Sequence, residues 1–171
     1  GFNMRMLATR KSLSSQEIDG EILVYPADHL RHLLPRAQFL INILPLTAET
    51  EGLLGFEELA LLPKGAVVVN TGRGKVIDQK AFFNALKSGH LGAAGVDVWY
   101  NYPTDAASRA HTSPADYPFH TLENVVMSPH RAGGVNSVET EQLRMGHLAN
   151  LLQHAKKGEE LPNQVDLNKG Y

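Results

Sequence analysis

The chain reads as an α/β protein built on a mostly parallel, doubly wound sheet with helices on both faces, and three observations predict it. Short apolar runs recur along the 171 residues, helical spacings of leucine and alanine fall between them, and proline, glycine or asparagine closes most of the runs. Strands that alternate with helices at this rhythm are joined by crossovers, which lay successive strands parallel.

Taken in order, Met4 to Thr9 is a strand closed by Arg10-Lys11-Ser12, and Ile22 to Tyr25 is a second, shorter one. Pro26 and Asp28 start a helix whose leucines run up to Pro35. Phe39 to Leu44 is a strand stopped by Pro45, and Thr47 to Leu62 has helical leucine spacing interrupted near Gly52 and Gly55. The run from Gly65 to Gly74, with Val67-Val68-Val69 inside it, reads as a strand buried on both faces that ends in a tight polar turn. Asp78 caps a helix over Gln79 to Ser88, with Gly89 as its stop. Strands over Ala93 to Trp99 and Val125 to Ser128 flank a proline- and aromatic-rich loop, Tyr100 to Asn124, whose length argues for a functional role. A long amphipathic helix runs from Ser137 to about Lys157, with Leu143, Leu148, Leu151 and Leu152 on its apolar side.

The length fits a single domain over residues 1–171, large enough to bury roughly 70% of the surface of the unfolded chain. No cysteine is present, so there is neither a disulfide framework nor a thiolate metal site. The net charge of -2 comes from interspersed acids and bases, which argues against nucleic acid and membrane lipid as partners and for small soluble ones. No apolar run approaches the length of a membrane span, and the expected location is the cytoplasm. Gly1-Phe2-Asn3 precedes Met4 either as an added scar or because the chain is the later part of something longer.

Three strands end on polar residues that a purely structural account leaves unexplained: Arg73, Asp97 and His130. All three fall at carboxyl ends, the edge where open α/β sheets bind ligands. Arg73 offers a two-pronged fork for a carboxylate, His130 acid/base chemistry near neutral pH, and Asp97 an acceptor that orients a polar group. The other seven histidines form no compact metal-binding cluster and read as solvent-facing or structural.

Four segments carry a family resemblance. Leu44-Pro45-Leu46-Thr47 with Thr50, Asn70-Thr71-Gly72-Arg73-Gly74, Gly95-Val96-Asp97-Val98 and Ser128-Pro129-His130-Arg131-Ala132-Gly133 resemble, in order and spacing, the signatures of the D-isomer-specific 2-hydroxyacid dehydrogenases. The resemblance extends into the tail around Asn163 to Tyr171. It implies a Rossmann-like sheet and a nicotinamide-dependent enzyme interconverting 2-keto and D-2-hydroxy acids. Arg73 would hold the substrate carboxylate and polarise its carbonyl, His130 would exchange the proton, and Asp97 would hold the nicotinamide carboxamide. Leu44, Pro45, Thr50, Thr71, Gly72 and Gly133 join Asp97 as cofactor-side positions.

The sequence departs from that pattern in three places. It lacks the first strand with its Gly-x-Gly-x-x-Gly loop, and the separate substrate domain. In a 3-2-1-4-5-6 sheet the missing strand lies between the strand at Met6 and that at Phe39, so a second chain fills the gap, by homodimer pairing or strand exchange, or the N-terminal strands pair differently. Tyr102 stands before Pro103 where the family usually has a glutamate paired with the histidine. Arg10 stands where an acidic residue usually meets the ribose of NAD, which favours the 2′-phosphate of NADP, so the cofactor is NADP or NAD. The chain therefore reads as a dehydrogenase-derived dinucleotide-binding domain that is not competent alone. The alternative is a non-catalytic self-association module descended from a truncated dehydrogenase.

Overall fold

A computed structural model describes residues 4–133 and 137–165. The chain divides into two compact units, Gly1–His130 and Arg131–Tyr171. Gly134, and the tail beyond Val165, lie outside the described residues.

The first unit carries two sheets. Strand β1 (Met6–Arg10) pairs in parallel with β3 (Ile22–Pro26), and β2 (Glu17–Asp19) adds to the other edge of β3 antiparallel. The second sheet is all parallel, in the order β4 (Phe39–Asn42), β5 (Ala66–Asn70), β6 (Leu91–Val96), β7 (Val125–Met127). β1 and β4 each end a sheet, and no further strand pairs with either among the described residues. Both strands are left as edges, and Phe39, Ile41 and the following Ile43 are exposed. β2 was not legible beforehand: Glu17-Ile18-Asp19 is three residues long and has no apolar pattern.

Helical segments hold the two sheets together. Around α1 (Leu30–Leu33), Leu34 joins the core cluster that contains Leu59 of α2 (Phe56–Leu61), and Arg31 bonds Glu57 and Glu58 of α2 at 3.0 and 2.5 Å. Lys11 after β1 pairs with Glu49 beyond β4. The helical spacing over Thr47 to Leu62 yields a helix only at α2. Thr47 and Thr50 close a turn through their hydroxyls, and Gly52 takes a left-handed φ of 67°, so the chain cannot coil until Gly55, where Glu58 returns a side-chain bond to the cap.

Strand β5 is the spine, with Ala66, Val68 and Asn70 buried. Helix α3 (Gln79–Lys87) starts where Asp78 accepts the N–H of Ala81 at 2.7 Å and packs Phe82, Phe83 and Leu86 inward. The loop between β6 and β7 is anchored rather than loose. Its Phe119 is fully buried, with ring centroids 5.8 Å from Phe82, 5.3 Å from Phe83 and 6.0 Å from Trp99.

In the second unit, α4 (Val138–Lys157) begins at Ser137, which accepts the N–H of Thr140, and ends at Gly158 with φ 70°. Leu143, Leu148 and Leu152 of its expected apolar side are exposed.

Candidate active site

The carboxyl ends of β4 to β7 are locked in a row by hydrogen bonds. The buried Asn42 amide donates to the side-chain oxygen of buried Asn70 at 2.9 Å, and the Asn42 side-chain oxygen accepts the N–H of Leu44 at 3.1 Å. Asn70 also receives the N–H of Gly72 at 3.3 Å and donates to the Arg73 carbonyl at 3.3 Å. Thr71 N–H bonds the Asn42 carbonyl, and Asp97 N–H the Asn70 carbonyl. Two buried amides thus satisfy the turn that carries Arg73, a network that works only when complete because an orphaned buried polar group costs about 1–3 kcal/mol.

Glycine is required twice here. A Cβ at Gly72 would lie 2.6 Å from the Leu44 carbonyl oxygen, and one at Gly74 would lie 2.3 Å from that of Trp99. The backbones of three strand ends therefore touch. Arg73 leaves this turn in extended conformation and spends one N–H on the Gly72 carbonyl at 2.8 Å. Asp97 sits buried one residue beyond β6.

His130 stands three residues past β7 with a φ of 56°, a left-handed conformation that costs of order 1–3 kcal/mol and persists where surrounding contacts fix it. Trp99 donates its indole N–H to the Ser128 carbonyl at 2.9 Å and its backbone N–H to the Tyr102 hydroxyl at 2.9 Å, and that hydroxyl lies 3.2 Å from His130 Nδ1. A phenol occupies the place of the expected glutamate and still touches the histidine. In the same loop the Tyr100 hydroxyl has no hydrogen-bond partner among the described residues, and burial, with Asp78 nearby, pushes its ionisation far above the usual tyrosine range.

The remaining candidates fall at different distances from this row. Leu44 and Pro45 continue from β4, and the Thr50 hydroxyl donates to the Pro45 carbonyl at 2.7 Å, shaping that loop. Arg10 ends β1 in the other sheet, paired with Glu17 at 2.7 Å and Asp19 at 2.9 Å. Gly133 belongs to the second unit. Asn42 and Trp99 are the site residues the sequence reading missed; Asn42 ends an apolar run as Asn70 does, and that shared position was the available signal. Among the described residues no group of three or more metal-ligating side chains occurs.

The family model for the NAD binding domain of D-isomer specific 2-hydroxyacid dehydrogenases matches residues 1–132. The chain belongs to this family. A glyoxylate reductase of Korarchaeum cryptofilum is 37% identical over 97% of the chain and 46% of its own length. A mitochondrial formate dehydrogenase of Hordeum vulgare is 29% identical over 94% of the chain and 40% of its own. Among solved structures, a D-isomer specific 2-hydroxyacid dehydrogenase of Xanthobacter autotrophicus in complex with NADPH and MES superposes with a TM-score of 0.79 at 28% identity, covering 98% of this chain and 48% of that one. A probable 2-hydroxyacid dehydrogenase of Rhizobium etli bound to NADP gives 0.77 at 26%, covering 99% and 50%. The chain thus spans about half the length of these 2-hydroxyacid dehydrogenase relatives.

At its nicotinamide end the family's cofactor would meet the buried carboxylate of Asp97, whose N–H bonds the carbonyl of Asn70, two residues before Gly72. No Gly-x-Gly-x-x-Gly turn occurs among these 171 residues.

Proposed function

We propose that this chain is the nicotinamide- and substrate-facing half of an NAD(P)-dependent oxidoreductase acting on 2-keto and 2-hydroxy acids, and is not competent by itself. The observation that carries this reading is the hydrogen-bonded row that sets Arg73, Asp97 and His130 on successive strand ends. A bound nicotinamide would supply or take the hydride. Arg73 would grip the substrate carboxylate through its fork, Asp97 would orient the carboxamide, and His130 would meet the oxygen on which charge develops. Leu44, Pro45, Thr50, Thr71 and Gly72 would line the cofactor side.

For the adenosine end, Arg10 favours NADP over NAD, but its guanidinium is engaged by Glu17 and Asp19, so a 2′-phosphate would have to displace two carboxylates. We place the protein in the cytoplasm. Isothermal titration with NADPH and NADH, on the chain and on Asp97→Ala, tests the reading: heat from either cofactor that the substitution removes supports it, and binding indifferent to Asp97 defeats it.

A second reading is favoured by the open edges of β1 and β4. Strands with one edge open among the described residues, and with Phe39 and Ile41 exposed on β4, are a template for pairing with another copy, so we propose a homodimer or strand-exchanged oligomer. Sedimentation of the chain at the monomer mass would exclude it.

A further inference from the structure

We infer that Tyr102 is a positioning residue for His130, holding the neutral imidazole with its proton on Nε2 and its Nδ1 lone pair turned to the phenol. The phenol oxygen has two neighbours, the Trp99 backbone nitrogen at 2.9 Å and His130 Nδ1 at 3.2 Å. A backbone N–H can only donate, so toward Trp99 the oxygen accepts. Conjugation draws its other lone pair into the ring, which leaves the single phenolic proton as the group directed at Nδ1. Nδ1 is then an acceptor, and a neutral ring with Nδ1 unprotonated carries its proton on Nε2.

The arrangement closes on itself. From the Trp99 backbone it passes through Tyr102 to His130, back along the chain to Ser128, and through the Ser128 carbonyl to the Trp99 indole. Trp99 is buried against Phe119, so the loop hangs from the core while Tyr102 and His130 stay open to solvent. The two rings lie 5.7 Å apart at 53°, and His130 carries its ring on a left-handed backbone, φ 56°.

A carboxylate in the place of Tyr102 would only accept, drawing the proton to Nδ1 and leaving Nε2 as a base. The phenol does the reverse. On the proposed role of His130, the neutral ring offers an N–H to a substrate oxygen instead of a lone pair to a hydroxyl proton, which suits the carbonyl of a 2-keto acid. The tautomer itself stands on geometry alone.

Long-range proton–nitrogen correlation spectra of the full chain, at a pH of about 9 where imidazoles are neutral, read the tautomer directly, with His130→Asn assigning the signal. The expected result is Nε2 protonated and Nδ1 unprotonated in the natural chain, exchange between both tautomers in Tyr102→Phe, and the proton moved to Nδ1 in Tyr102→Glu. Protonated Nδ1 in the natural chain overturns the proposal, as does a Tyr102→Phe spectrum identical to it. If Tyr102→Phe fails to fold, the natural chain and the glutamate variant still decide. The catalytic reading fails separately, if His130→Asn leaves keto-acid binding unchanged.

Discussion

The two sheets of the first unit differ in how completely they are built. In β4 to β7 every interior strand is paired on both sides, the carboxyl edge is held by buried amides, and the connecting loop is pinned by a buried phenylalanine. The sheet of β1, β3 and β2 is shorter, three strands against four, and the arginine that ends β1 is spent on the carboxylates of β2. The difference divides the labour of a dinucleotide site. The half that would face nicotinamide and substrate is preorganised by interactions the chain supplies itself, and the half that would face phosphates and adenosine is not.

That contrast can be broken at several points. The largest effect is expected from Phe119→Ala, which removes the ring that ties the long loop to Phe82, Phe83 and Trp99; a loss of about 3–5 kcal/mol in urea unfolding is expected. Asn70→Ala orphans Asn42 and the Arg73 turn, and about 1–3 kcal/mol should go, with weakened carboxylate binding. Tyr100 gives a pH signature. Because its folded-state ionisation lies above that of the unfolded chain, its contribution is intact below pH about 10 and is lost as pH rises beyond that. Alkaline unfolding should therefore set in above the ordinary tyrosine range, and Tyr100→Phe should delay it. At the edge strand β4, Ile41→Lys should change stability by no more than about 0.5 kcal/mol, while reducing any self-association seen by sedimentation. Arg10→Ala should be the mildest, about 0–1 kcal/mol for exposed ion pairs, and should lower any preference for NADP over NAD in titration.

Much of this was legible in the residues. The apolar runs with their glycine and proline stops marked six of the seven strands among the described residues, most plainly β5, whose Ala66, Val68 and Asn70 are buried. Asp78, Ser137 and Gly158 marked helix ends for equally local reasons. The helix expected from Thr47 was not local in this sense, since the Thr47–Thr50 turn overrides the leucine spacing. Arg73, Asp97 and His130 could be placed on one edge by topology alone. That Asn42 and Trp99 hold the edge together could not be read, because their partners lie 28 and 29 positions away. Nor could the capture of Arg10 by a hairpin too short to leave a pattern.

As proposed here, Arg73, Asp97 and His130 would form one preorganised half-site for nicotinamide and keto acid. Amide shift mapping of the isotope-labelled chain with NADPH, then glyoxylate, tests it most directly. The account predicts shifts concentrated at Gly72, Asp97 and Thr71 on adding NADPH, and at Arg73 and His130 on adding glyoxylate. Shifts confined to residues away from these strand ends, or none at either step, would contradict it.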